Sequence, residues 1–373
     1  MKEISRKFSV LCIIILCAQI VFSQDYPDKF LNGTIDGIQS EILQENKTIF
    51  IYLPNNYSDT KKLYPVHYIT DGPSTSNIFY YLLHLHSSAG NMPEGIVVGL
   101  SSDNRNNNLH IKKDGKKYLK FIEKELIPYI NNNYRTNSFK SINGHSLGAG
   151  FAIYAFFTKT DIFNLCIAGS PYPLEGLLTN INNKDNKKEL SNRRYLYSSI
   201  GTNNDIAKPQ FLAFRDKINQ HNFQFLESSF KINSGESHIS NIAVNFQKSL
   251  ESFYSDWKFS LPDTLKQPID ILLKNHYEQL SEKVGYKVEV SEWEVICPIM
   301  DRLAKRGDFQ NAVRILKYCV KIHPESDQAY AFLARAHLSI QDMESARKYL
   351  EKSLSINPNN KLALQIKQMI NKG

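Results

Sequence analysis

One stretch decides the fold of this chain: Ile142-Asn143-Gly144-His145-Ser146-Leu147-Gly148-Ala149-Gly150. An apolar approach runs into the pattern Gly-x-Ser-x-Gly, and a helical stretch from Ala149 to Phe157 follows. Between a strand and a helix, this pattern is typical of a strained turn that exposes the serine hydroxyl at the edge of a sheet. Glycines two residues either side of Ser146 leave room where a Cβ would collide with neighbouring elements. The alternative is an ordinary turn containing a serine, because so short a motif recurs by chance.

Length and composition favour two globular domains. The chain has 373 residues, of which 42% are hydrophobic and 12% aromatic, enough for a well-buried core. The formal charge is +8, and about +6 without the charged residues near the N-terminus. Basic residues are scattered apart from short runs such as Lys184 to Arg194, which are typical of solvated loops. We therefore expect no nucleic-acid partner.

Residues 1–23 have the pattern of a secretory signal peptide. Lys2, Arg6 and Lys7 precede an apolar run from Phe8 to Phe22, and Val21-Phe22-Ser23 offers a cleavage site. The run is short for a bilayer and polar residues follow it, so no membrane span is expected after cleavage. Leu16 stands before Cys17 where a lipidation signal needs a small residue. The prediction is a secreted or periplasmic protein, with an uncleaved anchor as the alternative.

Three cysteines remain after cleavage: Cys166, Cys297 and Cys319. They lie too far apart for a disulfide framework, and no pair has metal-ligand spacing. Cys166 falls in an apolar strand pattern and is predicted to be a buried, inert thiol. A Cys297–Cys319 bridge stays open. No metal or organic cofactor is predicted.

Apolar strand patterns alternate with amphipathic helical patterns up to about residue 260. The strand patterns are 37–43, 48–53, 66–70, 95–100, 164–168, 195–201 and 230–232, and the helical patterns include 76–85, 118–129 and 239–257. This alternation predicts an α/β domain over 24–260, in which a mostly parallel sheet is covered by helices on both faces. The site of such a domain lies at the carboxyl ends of the strands.

The C-terminal part contains an internal repeat. Gly307-Asp308-Phe309-Gln310-Asn311-Ala312 is echoed by Gln341-Asp342-Met343-Glu344-Ser345-Ala346, and Ile322-His323-Pro324 is echoed by Ile356-Asn357-Pro358. Both echoes are 34 residues apart, which is the tetratricopeptide period. The pattern predicts a helical connector over 261–290 and tetratricopeptide-like repeats over 291–373. Residues 361–371 are expected to form a capping helix.

A serine nucleophile needs a base that takes its proton and an acid that orients the base. With an elbow serine, acid and base follow in the order serine, acid, histidine. His238 lies after a late strand and before the closing helix, so it is the predicted base, and His221 is the weaker candidate. Three histidines fall in the helical part, where a packed or solvent-facing imidazole is the default: His276, His323 and His337.

The predicted acid is Asp205, which follows the strand pattern that ends at Gly201. Glu236 and Glu227 are the alternatives. Two N–H groups should hold the oxyanion, one from Leu147 and the other from the loop at Asp71-Gly72.

Several stretches now resemble the enterochelin-esterase-like esterases, in the esterase D and mycolyltransferase branch of the α/β-hydrolases. The resemblance rests on Tyr52–Tyr57, Tyr64–Gly72, Glu125–Ile130, Gly144–Gly148 and Gly169–Pro171 and covers roughly 34–258. It implies an α/β-hydrolase fold and a serine esterase, with Ser146, Asp205 and His238 at the matching positions. Residues 276–281 resemble the connector of members that carry tetratricopeptide tails.

The chain departs from these relatives at the oxyanion loop. Their second donor is generally the residue after Asp-Gly, which here is Pro73, and proline has no N–H. We expect an ester hydrolase, with Leu147, Gly72 and Pro73 around the oxyanion, acting on a siderophore ester, an acylated sugar or a similar small molecule. The alternative is a weakly catalytic or non-catalytic binding module whose repeats dock a protein partner.

Overall fold

The computed structural model of this protein describes residues 33–72, 74–101, 104–174, 177, 193–203, 207–221, 223 and 225–372. The predicted signal peptide, most of the charged stretch 180–194, Pro73 and Asp205 lie outside these residues.

The core of the first part is an eight-stranded sheet in the order β1-β2-β4-β3-β5-β6-β7-β8. Antiparallel pairing joins β1 to β2 and β2 to β4, and every other neighbouring pair is parallel. The strands are β1 Thr34–Ser40, β2 Glu45–Tyr52, β3 Tyr64–Gly72, β4 Ile96–Ser101, β5 Thr136–His145, β6 Leu165–Gly169, β7 Arg194–Asn203 and β8 Leu226–Ser237.

Burial along the strands explains this topology. All nine residues of β3 are buried, as are all residues of β4 and β6, because helices cover both faces of the parallel part. The first edge strand instead alternates between exposed and buried positions near its end, with Ile38 and Ser40 buried. The predicted α/β class with a mostly parallel sheet is confirmed.

Helices connect the parallel strands. They are α1 Ser74–Ser88, the one-turn α2 Arg105–Asn108, α3 in three consecutive segments (Gly115–Phe121, a π-helical Ile122–Leu126 and Ile127–Asn133), α4 Leu147–Thr158, α5 Lys208–His221 and α6 Asn241–Phe253. The π-helical segment presents Glu125 to the β1–β2 turn, where it accepts hydrogen bonds from the Ser40 hydroxyl (2.5 Å) and the Ile42 N–H (3.0 Å). The helices thereby fix the first hairpin as well as the sheet faces.

All the secondary-structure elements described after residue 260 are helices. They are α7 Ile269–Val284, α8 in three segments (Glu292–Glu294, a π-helical Val295–Ile299 and Met300–Arg306), α9 Phe309–Ile322, α10 Asp327–Ser339, α11 Met343–Ile356 and α12 Lys361–Lys372. Pro298 lies inside the π-helical segment of α8. A wider π turn accommodates the residue that cannot donate a backbone hydrogen bond.

The 34-residue echo of the sequence corresponds to equivalent helix caps. Asp308 accepts from the N–H of Asn311 (3.2 Å) at the start of α9, and Asp342 accepts from that of Ser345 (3.0 Å) at the start of α11. Each cap satisfies a backbone donor that the first helical turn leaves unpaired. The repeated alanines Ala312 and Ala346 are fully buried, as close helix packing requires.

The chain divides into two compact units by its internal contacts. Residues 28–258 with 281–287 form the sheet-containing unit, and residues 259–280 with 288–373 belong to the helical unit. In the part of the chain that the structure describes, no helix is long and apolar enough to cross a membrane.

Candidate active site

Ser146 occupies the turn between β5 and α4. Its backbone has φ 55° and ψ −120°, a conformation that a residue with a side chain rarely adopts. Such strain in a non-glycine residue is maintained only when surrounding structure holds it. The predicted serine elbow is therefore present in its characteristic geometry.

Close packing explains the two glycines of the motif. A Cβ on Gly144 would lie 2.5 Å from the carbonyl carbon and oxygen of Gly148 and 2.5 Å from the hydroxyl of Thr70. A Cβ on Gly148 would collide with that same hydroxyl and with the carboxylate of Asp71. The turn can approach β3 this closely only because both positions lack side chains.

The elbow is hydrogen-bonded to the loop after β6. The N–H of Ser146 donates to the carbonyl of Gly169 (2.9 Å), and the carbonyl of Ser146 accepts from the N–H of Tyr172 (3.2 Å). Ser170 between them has φ 46°, and its N–H donates to the carbonyl of Ser199 on β7 (2.7 Å). Three neighbouring strand ends thus hold Ser146 in its strained conformation.

His238 lies beside the elbow. Its ring packs against the ring of His145, the residue before Ser146, with centroids 4.6 Å apart and an interplanar angle of 57°. His238 sits in the turn between β8 and α6, and two serines close this turn. The Ser237 N–H donates to the Ser240 hydroxyl oxygen (2.8 Å), and the Ser240 N–H donates to the Ser237 hydroxyl oxygen (3.1 Å). The predicted base is thus held at the same sheet edge as the predicted nucleophile.

Both histidines favour their neutral forms. Burial, with the nearby Arg105 guanidinium as a smaller cause, lowers the pKa of His238 from its ordinary value. Burial also lowers the pKa of His145 to about 3, with contributions from His238 and Arg105. A neutral imidazole at position 238 is the form that can accept a proton from a serine hydroxyl.

A buried network of amides and hydroxyls supports the turn that carries His238. The Asn241 side-chain N–H groups donate to the Ser170 hydroxyl (3.1 Å) and the Ser199 carbonyl (3.3 Å). Asn233 donates to the Asn241 side-chain oxygen (2.7 Å) and to the Ser199 hydroxyl (3.1 Å). Fully bonded buried groups of this kind make a site rigid.

The acid loop begins next to His238. Asn203, the last residue of β7, pairs with Ser237, and the Gly235 N–H donates to the Thr202 hydroxyl (2.9 Å). Asp205 lies outside the described residues, so its role as the acid stays a prediction. The alternative Glu236 is half-buried near the same strand ends.

Two alternatives from the sequence lie at the wrong edge of the sheet. Glu227 is the second residue of β8 and pairs with Arg193 at 3.5 Å. Ser237 lies ten positions further along β8, about 30 Å away at the usual rise per residue. His221 ends α5, close to the start of β8, where its ring stacks on Phe223. Neither can act on Ser146, which follows the carboxyl end of β5.

The predicted oxyanion residues are described in part. Leu147 is the first residue of α4, so its N–H belongs to the first helical turn, whose donors have no partner within the helix. Leu147 also lines the same cavity as Ser146. Gly72 ends β3 and is buried against β4. A Cβ on Gly72 would lie 3.1 Å from the backbone of Gly99 and 3.2 Å from the nitrogen of Leu100. Pro73 lies outside the described residues.

An ion pair that sequence reasoning missed lies beside the elbow. Arg105 Nε donates to Asp71 Oδ1 (2.6 Å), and Nη2 donates to Asp71 Oδ2 (3.3 Å) and to the His145 carbonyl (3.3 Å). Asp71 is only 9% exposed. Arg105 lies in the polar stretch 103–108, where no motif marks it as a site residue.

A cavity of about 470 Å³ opens at Ser146. Its apolar wall includes Leu109, Ile111, Leu147 and Phe151. Arg105, His110 and Lys112 also line it, and none of its described lining residues is acidic. Its size suits a small organic molecule.

The remaining sequence predictions concern histidines and cysteines away from the site. His276 packs on Phe259, His323 Nε2 hydrogen-bonds the Val290 carbonyl at 2.9 Å, and His337 Nδ1 hydrogen-bonds Asp342 at 3.0 Å. Of the two options that the sequence left open, packed or solvent-facing, these contacts favour the packed imidazole for all three.

Cys166 is fully buried in β6, and burial raises the pKa of its thiol, which confirms the prediction of an inert group. Cys297 and Cys319 are free and buried. The bridge between them that the sequence left open is therefore not formed.

An eight-stranded, mostly parallel sheet with a strained serine elbow at its carboxyl edge defines an α/β-hydrolase. Residues 40–266 match the model of the family described as Putative esterase, and residues 303–370 match a tetratricopeptide repeat model. The chain belongs to this esterase family and carries tetratricopeptide repeats after the hydrolase region.

The chain is also similar to individual proteins. An uncharacterized protein of Bacillus subtilis (strain 168), YjcH, is 29% identical over 184 residues, which cover 46% of this chain and 74% of that protein. An IroE-like serine hydrolase from Shewanella oneidensis superimposes with a TM-score of 0.65 at 23% identity, covering 75% of this chain and 96% of its own. An uncharacterised protein from Capnocytophaga ochracea has a TM-score of 0.70 at 18% identity, covering 91% and 98%. The two solved structures show the fold.

Proposed function

We propose that this protein is a secreted serine esterase that hydrolyses a carboxylic ester through an acyl-enzyme on Ser146. The observation that carries the proposal is the strained Ser146 turn, which lines a cavity while the His238 ring packs against the preceding residue. Membership of an esterase family gives the reaction class.

The reaction follows from these positions. The Ser146 oxygen attacks the ester carbonyl carbon, the carbonyl π pair moves to oxygen, and His238 takes the serine proton. The carbonyl then re-forms, the bond to the alcohol breaks, and the departing alkoxide takes the proton from His238. Water repeats both steps on the acyl-enzyme and releases the carboxylic acid. The Leu147 N–H holds the negative oxygen in each tetrahedral intermediate.

The lining of the cavity supports a proposal for the chemical class of the ester. Its apolar wall suits an aromatic or aliphatic part, and the side chains of Arg105 and Lys112 favour a substrate without net positive charge. A siderophore ester, an acylated sugar or a similar small molecule fits this description. Transfer of the acyl group to an alcohol is the variant within the same mechanism.

Location and partners belong to the same proposal. The leader pattern of residues 1–23 supports action in the periplasm or outside the cell. The tetratricopeptide repeats support docking of a protein partner, since such repeats build concave binding surfaces.

Labelling with a fluorophosphonate and turnover of p-nitrophenyl butyrate test the mechanism. Ser146→Ala should abolish both, and Ser138→Ala is the matched control because Ser138 is an exposed serine near the other end of β5. Retained labelling in Ser146→Ala would refute the acyl-enzyme.

The acid is tested separately. If Asp205 orients the base, Asp205→Asn should lower kcat by up to about 10⁴-fold, whereas Glu236→Gln should leave it near the wild-type value. The reverse pattern would assign the role to Glu236. An absence of turnover and labelling in the wild-type chain would favour the binding-module alternative, which Pro73 supports.

A further inference from the structure

One wall of the cavity at Ser146 carries two basic side chains that the proposed reaction does not use. His110 and Lys112 line the space of about 470 Å³ together with Ser146, and both lie in the loop between α2 and the first segment of α3. None of the described residues that line this cavity is acidic. The two side chains therefore border the space that a bound ester would occupy.

The positive charge of Lys112 is not balanced by the protein. The neighbouring cations have partners: Arg105 belongs to the ion pair described above, and Lys113 Nζ donates to the Asn107 side-chain oxygen at 3.0 Å. Over the described part of the chain, no group accepts a hydrogen bond from Lys112 Nζ, and the exposed Asp114 forms no ion pair with it. A cation in this situation favours an anionic ligand.

The backbone of Lys112 also determines which nitrogen of His110 can donate. The Lys112 N–H donates to His110 Nδ1 at 3.2 Å, so Nδ1 is the acceptor and Nε2 carries the hydrogen. His110 is half-buried, and no described group accepts a hydrogen bond from its Nε2. An imidazole N–H and an ammonium group thus stand two residues apart on one wall of the cavity.

Hydrogen bonds close the turn that carries both donors. The His110 carbonyl accepts from the N–H groups of Lys113 (2.9 Å) and Gly115 (3.2 Å), and the His110 N–H donates to the Asn107 carbonyl (3.2 Å). A Cβ on Gly115 would lie 3.0 Å from the His110 carbonyl oxygen, so the turn is tight where α3 begins. Because the backbone is already ordered, binding a ligand here costs little conformational entropy.

Apolar side chains separate these donors from the nucleophile in the lining of the cavity. Leu109 and Ile111 flank His110 in the chain, and Leu147 and Phe151 line the part contributed by α4. A carboxylate offers two oxygens, one for an imidazole N–H and one for an ammonium group. The lining therefore fits a ligand in which a hydrocarbon segment joins the ester to a carboxylate.

We propose that His110 and Lys112 bind a carboxylate of the substrate, so that the preferred ester carries a negative charge separated from the scissile carbonyl by an apolar segment. This inference rests on the proposed function and names the substrate class of that site. The two residues determine specificity and exchange no proton with the reacting atoms. Binding of this kind is equal in the ground state and the transition state, so it lowers KM and leaves kcat nearly constant.

Matched pairs of esters test this inference in the full chain. Mono-p-nitrophenyl adipate is compared with p-nitrophenyl hexanoate, and 4-(butyryloxy)benzoate is compared with its methyl ester. The first pair places the carboxylate on the acyl side, and the second places it on the alcohol side. In at least one pair, kcat/KM should be about tenfold or more higher for the carboxylate ester, mainly through a lower KM. Raising NaCl from about 0.05 M to about 1 M should reduce this ratio, because salt screens exposed charges.

Variants of the two residues assign the preference to this wall. Lys112→Gln should bring the ratio of kcat/KM values close to one, Lys112→Glu should favour the neutral ester, and Lys112→Arg should keep most of the ratio, because it retains the charge. His110→Ala should reduce the ratio several-fold. Lys113→Gln is the matched control: it removes the same charge one residue away, from an ammonium group that already has Asn107 as its partner. Its ratio should equal that of wild type.

Two results would overturn the inference. One is a similar kcat/KM for both members of each pair in the wild-type chain, and the other is an equal fall of the ratio in Lys113→Gln and Lys112→Gln. Either result, with turnover that is lost in Ser146→Ala, refutes the carboxylate site and leaves the proposed esterase standing. No turnover of any of the four esters would contradict the proposed function and this inference together.

Discussion

The packing at Gly144 permits a quantitative prediction for the variant Gly144→Ala. The new Cβ would lie 2.5 Å from the Gly148 carbonyl group, about 1 Å inside normal contact distance. The obstacle is backbone, so no side-chain rotation relieves it. Overpacking of this kind costs up to about 3 kcal/mol, and the lower entropy of unfolded alanine returns about 0.4–1 kcal/mol. The expected net loss is therefore about 2 kcal/mol.

The same variant should lose more activity than stability. For a unit of this size, about 2 kcal/mol lowers the Tm by about 4–8 °C. Relief of the overlap must move the Ser146 turn by about 1 Å, and a displacement of 1 Å can reduce the rate about a hundredfold. We therefore expect a folded protein with kcat for p-nitrophenyl butyrate near 1% of wild type.

Calorimetry and steady-state kinetics check both numbers. The control is Gly37→Ala on an exposed part of β1, where the new Cβ would meet the side-chain amide of Asn46, with its oxygen at 3.1 Å and its nitrogen at 3.3 Å. That variant should keep the Tm and the kcat of wild type. If Gly144→Ala also kept the Tm and the kcat of wild type, the inferred close contact between Gly144 and the backbone of Gly148 would be wrong.

Two further predictions concern acid stability and repeat packing. His67 is fully buried, and burial lowers its pKa from about 6.5 to about 3, so the unfolded chain binds the proton more tightly and stability falls as the pH drops from 6.5 towards 3. The free energy of unfolding should therefore be about 2 kcal/mol lower at pH 5 than at pH 7.5. Urea unfolding at the two pH values measures this difference. His67→Gln should abolish the contribution of His67 to it, and the control His221→Gln should keep it. Ala346→Leu should destabilise the helical unit by about 1–3 kcal/mol and accelerate hydrogen exchange in α10 and α11, because Ala346 is fully buried. The neighbouring exposed change Arg347→Leu should not accelerate exchange, and equal effects would contradict the predicted packing.

Sequence patterns predicted the architecture because their signals are local. The apolar runs of β3 to β7 and the Gly-x-Ser-x-Gly motif depend on residues within a few positions of one another. The 34-residue echo likewise repeats one helix pair, and the caps at Asp308 and Asp342 are encoded within three residues. Element ends were less well predicted: β8 extends over Leu226–Ser237, whereas the pattern indicated only residues 230–232. An edge strand with one exposed face carries a weaker apolar signal.

The candidate site divides in the same way. Ser146 and His238 were predicted from a motif and from chain order, and the structure places them at one sheet edge, where the ring of His145 contacts that of His238. Asp205 stays a prediction. Of its two alternatives, the structure excludes only Glu227 as the acid, because Glu227 lies at the start of β8 and the end of β8 faces the site.

By itself the sequence determined the two-part organisation, the parallel sheet and the serine elbow, because each follows from the spacing of neighbouring residues. Only the tertiary structure decided which charged groups meet at the elbow. Asp71 and Arg105 are 34 residues apart, and Arg105 and the His145 carbonyl are 40 apart. They meet because β3 lies between β4 and β5, so the loops after all three strands converge at the carboxyl edge of the sheet. Strand order is a property of long-range packing that no local pattern encodes, and it brings an arginine from a polar loop to the nucleophile.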